Sequence, residues 1–267
     1  MSVAGTYCRD VSRELRLLAA WPPGSPMRVG SVGRFLADRV FEPETSLGAC
    51  GIQFSVDDDP GSGVLSYTSR GVTESGITAG AHVPDLASGA AVAKARVTIT
   101  FQRAHGIVFR ASGLRYQTMR DQPGMARKVA RLAESGQWRR DWYIVTQVVR
   151  AASASILISE YPSAEVELTL AADAEAAGIE LLGAELSPRV VRHKDMHVLI
   201  VDEGGLAPLF KAKRVRRTFF GDVTLKPGFG PADVSAIEDL DDASFERELL
   251  EEADVVDAIV LGDAPGD

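Results

Sequence analysis

Arginine and lysine, crowded into a few short stretches, are the side chains of this 267-residue chain best placed to do chemistry. Lys211 to Arg217 (KAKRVRR) carries five bases in seven residues: Lys211, Lys213, Arg214, Arg216 and Arg217. Arg139 stands next to Arg140, and Arg189, Arg192 and Lys194 share one further stretch. Guanidinium and ammonium groups bind phosphate oxygens by charge-assisted hydrogen bonds, and each contributes about 1 kcal/mol near an anionic lipid surface. The chemistry on offer is capture of anions, with phospholipid headgroups as the expected ligand. Any one cluster taken alone also fits an ordinary solvated face.

Groups that make or break bonds are sparse. His193 and His197 have the i, i+4 separation of a helical metal pair, but Lys194, Asp195 and Met196 between them read as strand, where that separation spans about 13 Å. These histidines are assigned surface or structural roles. The chain has no Walker A loop, no G-x-S-x-G, no H-E-x-x-H and no cysteine pair at zinc spacing, and Gly30 with Gly33 makes only G-x-x-G. A dispersed Ser/His/Asp set stays open in principle, since its members need not be neighbours in sequence. We therefore expect a non-enzyme with no catalytic residue, no cofactor and no metal. Nucleic acid is not an expected partner, because the basic runs lack aromatics arranged for base stacking.

Charge divides the chain in two. Residues 1–232 hold 28 bases against 24 acids, or +4, whereas residues 233–267 hold one base against thirteen acids, or −12; together these make the net charge of −8. A basic body attracts anionic surfaces, and an acidic segment folded against it cancels that attraction. The expected domains are thus a membrane-binding body, 1–232, and an acidic inhibitory segment, 233–267, joined through a linker punctuated by Pro227, Gly228, Gly230 and Pro231. In the tail Phe245, Leu249, Leu250, Ala253 and Val256 recur every three or four residues, which predicts an amphipathic helix with one docking face. Phe245, Leu249, Leu250 and Val256 are the candidate autoinhibitory contacts.

The elements that must position these groups follow from periodicity. Asp10 is a candidate cap for a first helix with Val11, Leu15, Leu18 and Trp21 on one side, stopped by Pro22 and Pro23. Residues 28–54 read as short strands and turns. Between Val64 and Ala111 the pattern has period two: Ala93, Ala95, Val97, Ile99 and Phe101 alternate with Lys94, Arg96, Thr98, Thr100 and Gln102, and residues 77–83 alternate likewise, so a long hairpin is predicted around 84–89. A helix over 125–134 ends at Gly136. Residues 142–159, with Ile144, Val148, Ile156 and Ile158, are too rich in β-branched residues for a preferred helix, and Ala164 to Leu170 alternates. Ala171 to Leu186 is ambiguous between helix and strand, and His197 to Val201 reads as a short strand. The fold class is α+β: a twisted, mainly antiparallel β-sheet with long hairpins, packed helices and a short C-terminal autoinhibitory helix.

An amphipathic strand crosses a bilayer with about 9 to 11 residues, and the hairpin arms reach that length. Ala93, Ala95, Val97, Ile99, Phe101, Ile144, Val148, Ile156 and Ile158 are therefore candidate membrane-spanning positions, although an ordinary half-buried sheet gives the same alternation. No run approaches 18 apolar residues, and Met1 to Asp10 lacks an apolar leader, so synthesis as a cytosolic protein is expected. Cys8 and Cys50 do not make a disulfide framework and suit a reducing compartment.

Taken together, the order of elements resembles the gasdermin family and its short bacterial members. The likeness is carried by W-x-x-x-W-Y-I-V-T-Q-V-V at Trp138 to Val149, by GLAPLFKAKRVRR at Gly205 to Arg217, and by the succession of helix, long hairpin, helix, second β-region and short C-terminal segment. The resemblance implies a cytoplasmic monomer from which an activating protease removes the C-terminal segment. The body would then bind phospholipid, assemble into a homo-oligomeric β-barrel pore in the inner face of the cell membrane, and cause cell death in bacterial, antiviral defence. Bacterial members typically carry a lipid-modified cysteine almost directly after the initiator Met; here the first is Cys8, which is either a reversible acylation site or a buried, unmodified thiol. A non-enzymatic β-rich interaction module with an acidic recruiting tail is the alternative.

Overall fold

A computed structural model describes residues 2–61, 63–75, 81–84, 91–170, 188–217, 223–225 and 257–258. In chain order the elements are α1 (Val3–Leu15), β1 (Leu18–Ala19), β2 (Ser31–Phe35), β3 (Phe41–Ser46), β4 (Val56–Pro60), β5 (Val64–Thr68), β6 (Val72–Ser75), β7 (Ala81–Pro84), β8 (Ala91–Phe101) and β9 (Ile107–Met119). They continue with α2 (Gln122–Glu134), β10 (Tyr143–Ser159), β11 (Ala164–Leu170), β12 (Arg189–Lys194), β13 (Met196–Glu203), β14 (Leu209–Lys213), β15 (Arg216–Arg217), β16 (Val223–Leu225) and β17 (Asp257–Ala258). Among the described residues, two helices and mostly antiparallel strands make this an α+β fold built on antiparallel sheet.

The chain folds into two compact units that interleave along the sequence. One comprises Met1–Pro26, Pro60–Tyr116 and Val149–Leu209; the other comprises Met27–Asp59, Gln117–Val148 and Phe210–Asp267. Both units therefore draw on residues 1–232. A nine-stranded sheet has the path β1-β14-β10-β2-β3, with β13 and β9 also on β10, and β4 and β5 on β9. A five-stranded sheet has the order β12-β11-β8-β6, with β7 also on β8.

In the first unit α1 starts earlier than its sequence suggests. Ser2 is the N-cap, its Oγ accepting from Gly5 N at 3.0 Å, so Asp10 lies inside the helix, paired with Arg9 at 2.9 Å. Tyr7, Cys8 and Val11 form the buried stripe. Arg16 turns left-handed at φ 56 and ends the helix, so Leu18 and Ala19 enter a strand instead of extending the apolar face. A serine hydroxyl caps as well as a carboxylate, and Tyr7 and Cys8 extend the apolar side a turn upstream.

The hairpin predicted around 84–89 is present in the described backbone, with Pro84 opposite Ala91 and Ala81 opposite Lys94. β8 also pairs with β11 from Phe101 and Ala164 to Ala95 and Leu170, which sequence alone did not reveal. Alternation then decides the faces. Val97, Ile99 and Phe101 of β8 and Val166 and Leu168 of β11 pack in one buried cluster with Val108 and Leu157. Each such side chain contributes about 1.5–3 kcal/mol on burial. Thr98, Thr100, Glu165, Glu167 and Thr169 occupy the opposite, half-buried face.

The second unit is organised around α2. Asp121 caps it, accepting from Gly124 N at 3.0 Å, and Met125 and Val129 join Val32, Leu47, Ile52, Met119, Trp138 and Ile144 in a second core. Gly136, at φ 73, closes the helix as its sequence predicts. β2 and β3 pair with Gly33 opposite Pro43, and a Cβ at Gly33 would run into the Glu42 carbonyl, so only glycine permits this approach.

Candidate functional site

The first unit presents β12 at one edge of the five-stranded sheet. All six of its residues, including Val190 and Val191, are exposed. Charged side chains on an edge strand discourage pairing with other chains. Arg192 reaches Glu165 at 2.8 Å and Glu167 at 3.9 Å, and Lys194 reaches Asp195 at 3.7 Å. Arg192 and Lys194 are thus paired with Glu165, Glu167 and Asp195. Asp195, at φ 56, also turns the chain between β12 and β13. His193 and His197 consequently stand on separate strands, β12 on β11 of the five-stranded sheet and β13 on β10 of the nine-stranded sheet, not along one strand as their spacing suggests. His197 stacks on Trp21, with ring centroids 6.0 Å apart.

Arg139 and Arg140 belong to the second unit, where the balance is similar. Arg139 pairs with Asp141 at 2.9 Å and lies 3.7 Å from Glu44, which also takes Arg34 at 2.9 Å and the Trp142 indole N–H at 2.9 Å. The hydrogen bond from Arg139 holds the Asp141 carboxyl below the ordinary carboxylate range. Arg34 and Arg139 face Glu42, Glu44 and Asp141, while Arg140 is exposed. Linear sequence shows the bases of this cluster and Asp141 but hides Glu42 and Glu44, which arrive from β3.

The third cluster lies on β14 and the residues that follow it. Lys211 is exposed on β14, Lys213 donates to the neutral Gln122 amide at 2.8 Å, and the Arg214 guanidinium lies 5.3 Å from the centre of the Tyr143 ring. The ring and the amide each orient one of these charges. Arg216 and Arg217 form β15, whose backbone pairs with Thr224 and Val223 of β16; β16 pairs in turn with β17, Thr224 opposite Ala258 and Leu225 opposite Asp257. A piece of the acidic segment, Asp257–Ala258, therefore returns to the strand beside the basic run. Phe245, Leu249, Leu250 and Val256 lie outside the described residues, as do residues 171–187.

Seven of the nine candidate spanning positions are interior in this state. Val97, Ile99, Phe101, Ile144, Val148, Ile156 and Ile158 are each at most 4% exposed; Ala93 and Ala95 lie on β8, paired in backbone with His82 and Leu170. Cys8 is buried and its Sγ donates to the Ala19 carbonyl at 3.6 Å, while Cys50 is half-buried. Among the described residues no helix is long and apolar enough to cross a membrane, which does not bear on crossing by strands, and no cluster of metal-ligating side chains occurs.

Sequence reading missed a fourth grouping. Arg9, Arg13, Arg70, Arg103 and Arg110 are spread over a hundred residues yet line one cleft of the first unit. No local run announces them; the turns that place Arg70 and Arg103 are their only sequence signal. No known family model matches the chain, and no curated protein sequence matches it.

Proposed function

We propose that the chain is an autoinhibited pore-forming protein. Removal of the acidic C-terminal segment by an activating protease frees a basic body that binds phospholipid, oligomerises and rebuilds its long hairpins as a β-barrel in the inner face of the cell membrane. The protein is a cytoplasmic monomer before cleavage, and the reading needs no catalytic residue, cofactor or nucleic acid.

One observation carries this reading: β8 and β11 lie side by side as strands, and over residues 97–101 and 164–169 one face is apolar and buried while the other is polar and half-buried. β8 is 11 residues long, matching the about 9 to 11 that a tilted strand needs to cross hydrocarbon. Neighbouring strands that alternate in step are what a barrel wall requires, lipid on one side and water on the other. The same faces now bury Val97, Ile99 and Phe101 in the protein core, so the exchange of protein for lipid would conserve their apolar contacts. Asp257–Ala258, paired beside the strand next to Arg216–Arg217, adds support for the tail as an inhibitor.

The test is release of a trapped dye from vesicles of phosphatidylglycerol and phosphatidylcholine, comparing the full chain with a chain ending after Ser235. The truncated chain should release dye and the full chain should not. Sealed vesicles across a range of anionic lipids would sink the pore reading. Loss of partner binding on truncation would instead favour the interaction module.

A further inference from the structure

We propose that the cleft on the first unit is a binding site for a soluble, phosphate-bearing small molecule, with Arg70 and Arg103 as its principal ligands. The inference does not depend on pore formation.

α1 supplies one wall. Because Tyr7, Cys8 and Val11 face the core, Arg9, Asp10, Arg13 and Glu14 turn outward to the cleft. β5 and the turn after it supply Ser66, Tyr67, Thr68, Ser69 and Arg70, and the turn between β8 and β9 supplies Arg103 and His105. The open cleft has a volume of about 660 Å³, within the usual range for a small-molecule site.

Charge selects an anion. Five arginines line the cleft against two carboxylates, Asp10 and Glu14, leaving +3. Asp10 is already paired with Arg9. Arg110 is held by the Tyr67 and Phe109 carbonyls at 3.3 and 2.9 Å. Among the described residues neither Arg70 nor Arg103 makes an ion pair, so their guanidinium groups remain available. Planar forked donors beside serine and threonine hydroxyls match phosphate oxygens.

The turns carrying these cations are built, not merely accessible. Gln102 N donates to Gly71 O at 2.8 Å, Ser69 N to Ile107 O at 2.9 Å, and Ile107 N to Ser69 Oγ at 2.8 Å. Gly106 N donates to the buried Ser159 Oγ at 2.8 Å, and that hydroxyl donates to Arg103 O at 2.9 Å. Gly71 at φ 82 and His105 at φ 58 hold the two turns in left-handed conformations. Arginines fixed on bonded turns lose less freedom when they bind, which raises affinity.

The lining also decides between a soluble ligand and a lipid. No aliphatic side chain larger than alanine faces the cleft, so an acyl chain finds nothing to pack against. Tyr67 and His105 provide the two rings, and Tyr67 the one phenol. Burial, followed by the nearby Asp10 and Glu14 charges, pushes that phenol up to about 12, so it stays a neutral donor.

The experiment is calorimetric titration of the full chain with ATP and with pyrophosphate, alongside pelleting with phosphatidylglycerol vesicles. Saturable binding of at least one soluble phosphate is expected, weakened about tenfold or more in R70E/R103E, because each lost charge-assisted bond is worth a sizeable part of that factor. R70Q/R103Q, checked by circular dichroism, covers a folding failure of the charge reversal, and Arg140→Glu should bind as the parent does. Absence of saturable heat at millimolar phosphate, or equal binding by the glutamine variant, would overturn the site. Vesicle binding that needs Arg70 and Arg103 with no soluble-phosphate binding would overturn the choice of ligand.

Discussion

Tyr7 illustrates how a single side chain can carry a cost. Its ring is fully buried against Trp21, with centroids 5.7 Å apart, yet among the described residues its hydroxyl has no hydrogen-bond partner. Burial, then the neighbouring Cys8, raises the phenol well above its ordinary value, so the group is neutral at every working pH. Tyr7→Phe keeps the ring and removes an unpaired buried polar atom. It should leave stability unchanged or raise it by about 1 kcal/mol, read as a higher urea midpoint. Asp57 is the opposite case, an outward carboxylate whose hydrogen bond from Arg120 lowers its pKa from an ordinary 3.8. A lowered folded pKa contributes stability above the ordinary value and loses it as pH falls through the folded one. The stability gap between the parent and Arg120→Gln should therefore be small, widest at neutral pH, and closed in strong acid; a gap that widens in acid would refute the linkage. Water around both groups keeps the effect modest.

Among the elements, period-two strands were the most legible. β8, β10 and β11 fall where alternation and β-branching place them, because side chains alternate faces on any strand whatever its partners. Pairing is different. β8 lies between β11 and β6, and that order depends on distant segments competing for the same edge. The start of α1 was misjudged because two caps compete locally, and the β12–β13 turn because a left-handed Asp195 leaves little trace in composition. Ser159 joins elements in the same nonlocal way, bonding from β10 to both Gly106 N and Arg103 O. Ser159→Ala strips partners from a buried N–H and a part-buried C=O and should cost about 1–3 kcal/mol, more than an exposed Ser135→Ala. Matched urea midpoints for the two variants would show that the turn does not rely on this hydroxyl.

For the whole molecule, the charge split sets a direction. Removing residues 233–267 changes the net charge from −8 to +4, so vesicle binding by the truncated chain should be strong at low salt and fall steeply as the ionic strength rises past about 0.15 M, where screening reaches within about 8 Å. Vesicle pelleting across a salt series checks this, and a salt-independent interaction would assign membrane binding to apolar insertion alone. Sequence by itself determined the strand-rich character, the alternation of faces, the α2 helix and the opposed charges of body and tail, since each depends on residue type or near-neighbour spacing. Tertiary structure alone decided which charges remain unmatched. Glu42 and Glu44 neutralise the Arg139 cluster from another strand, and Glu165 and Glu167 do so for β12, while Arg70 and Arg103 meet in a cleft from turns 33 residues apart in number. Coulomb attraction depends on distance through space, and only the folded chain sets that distance.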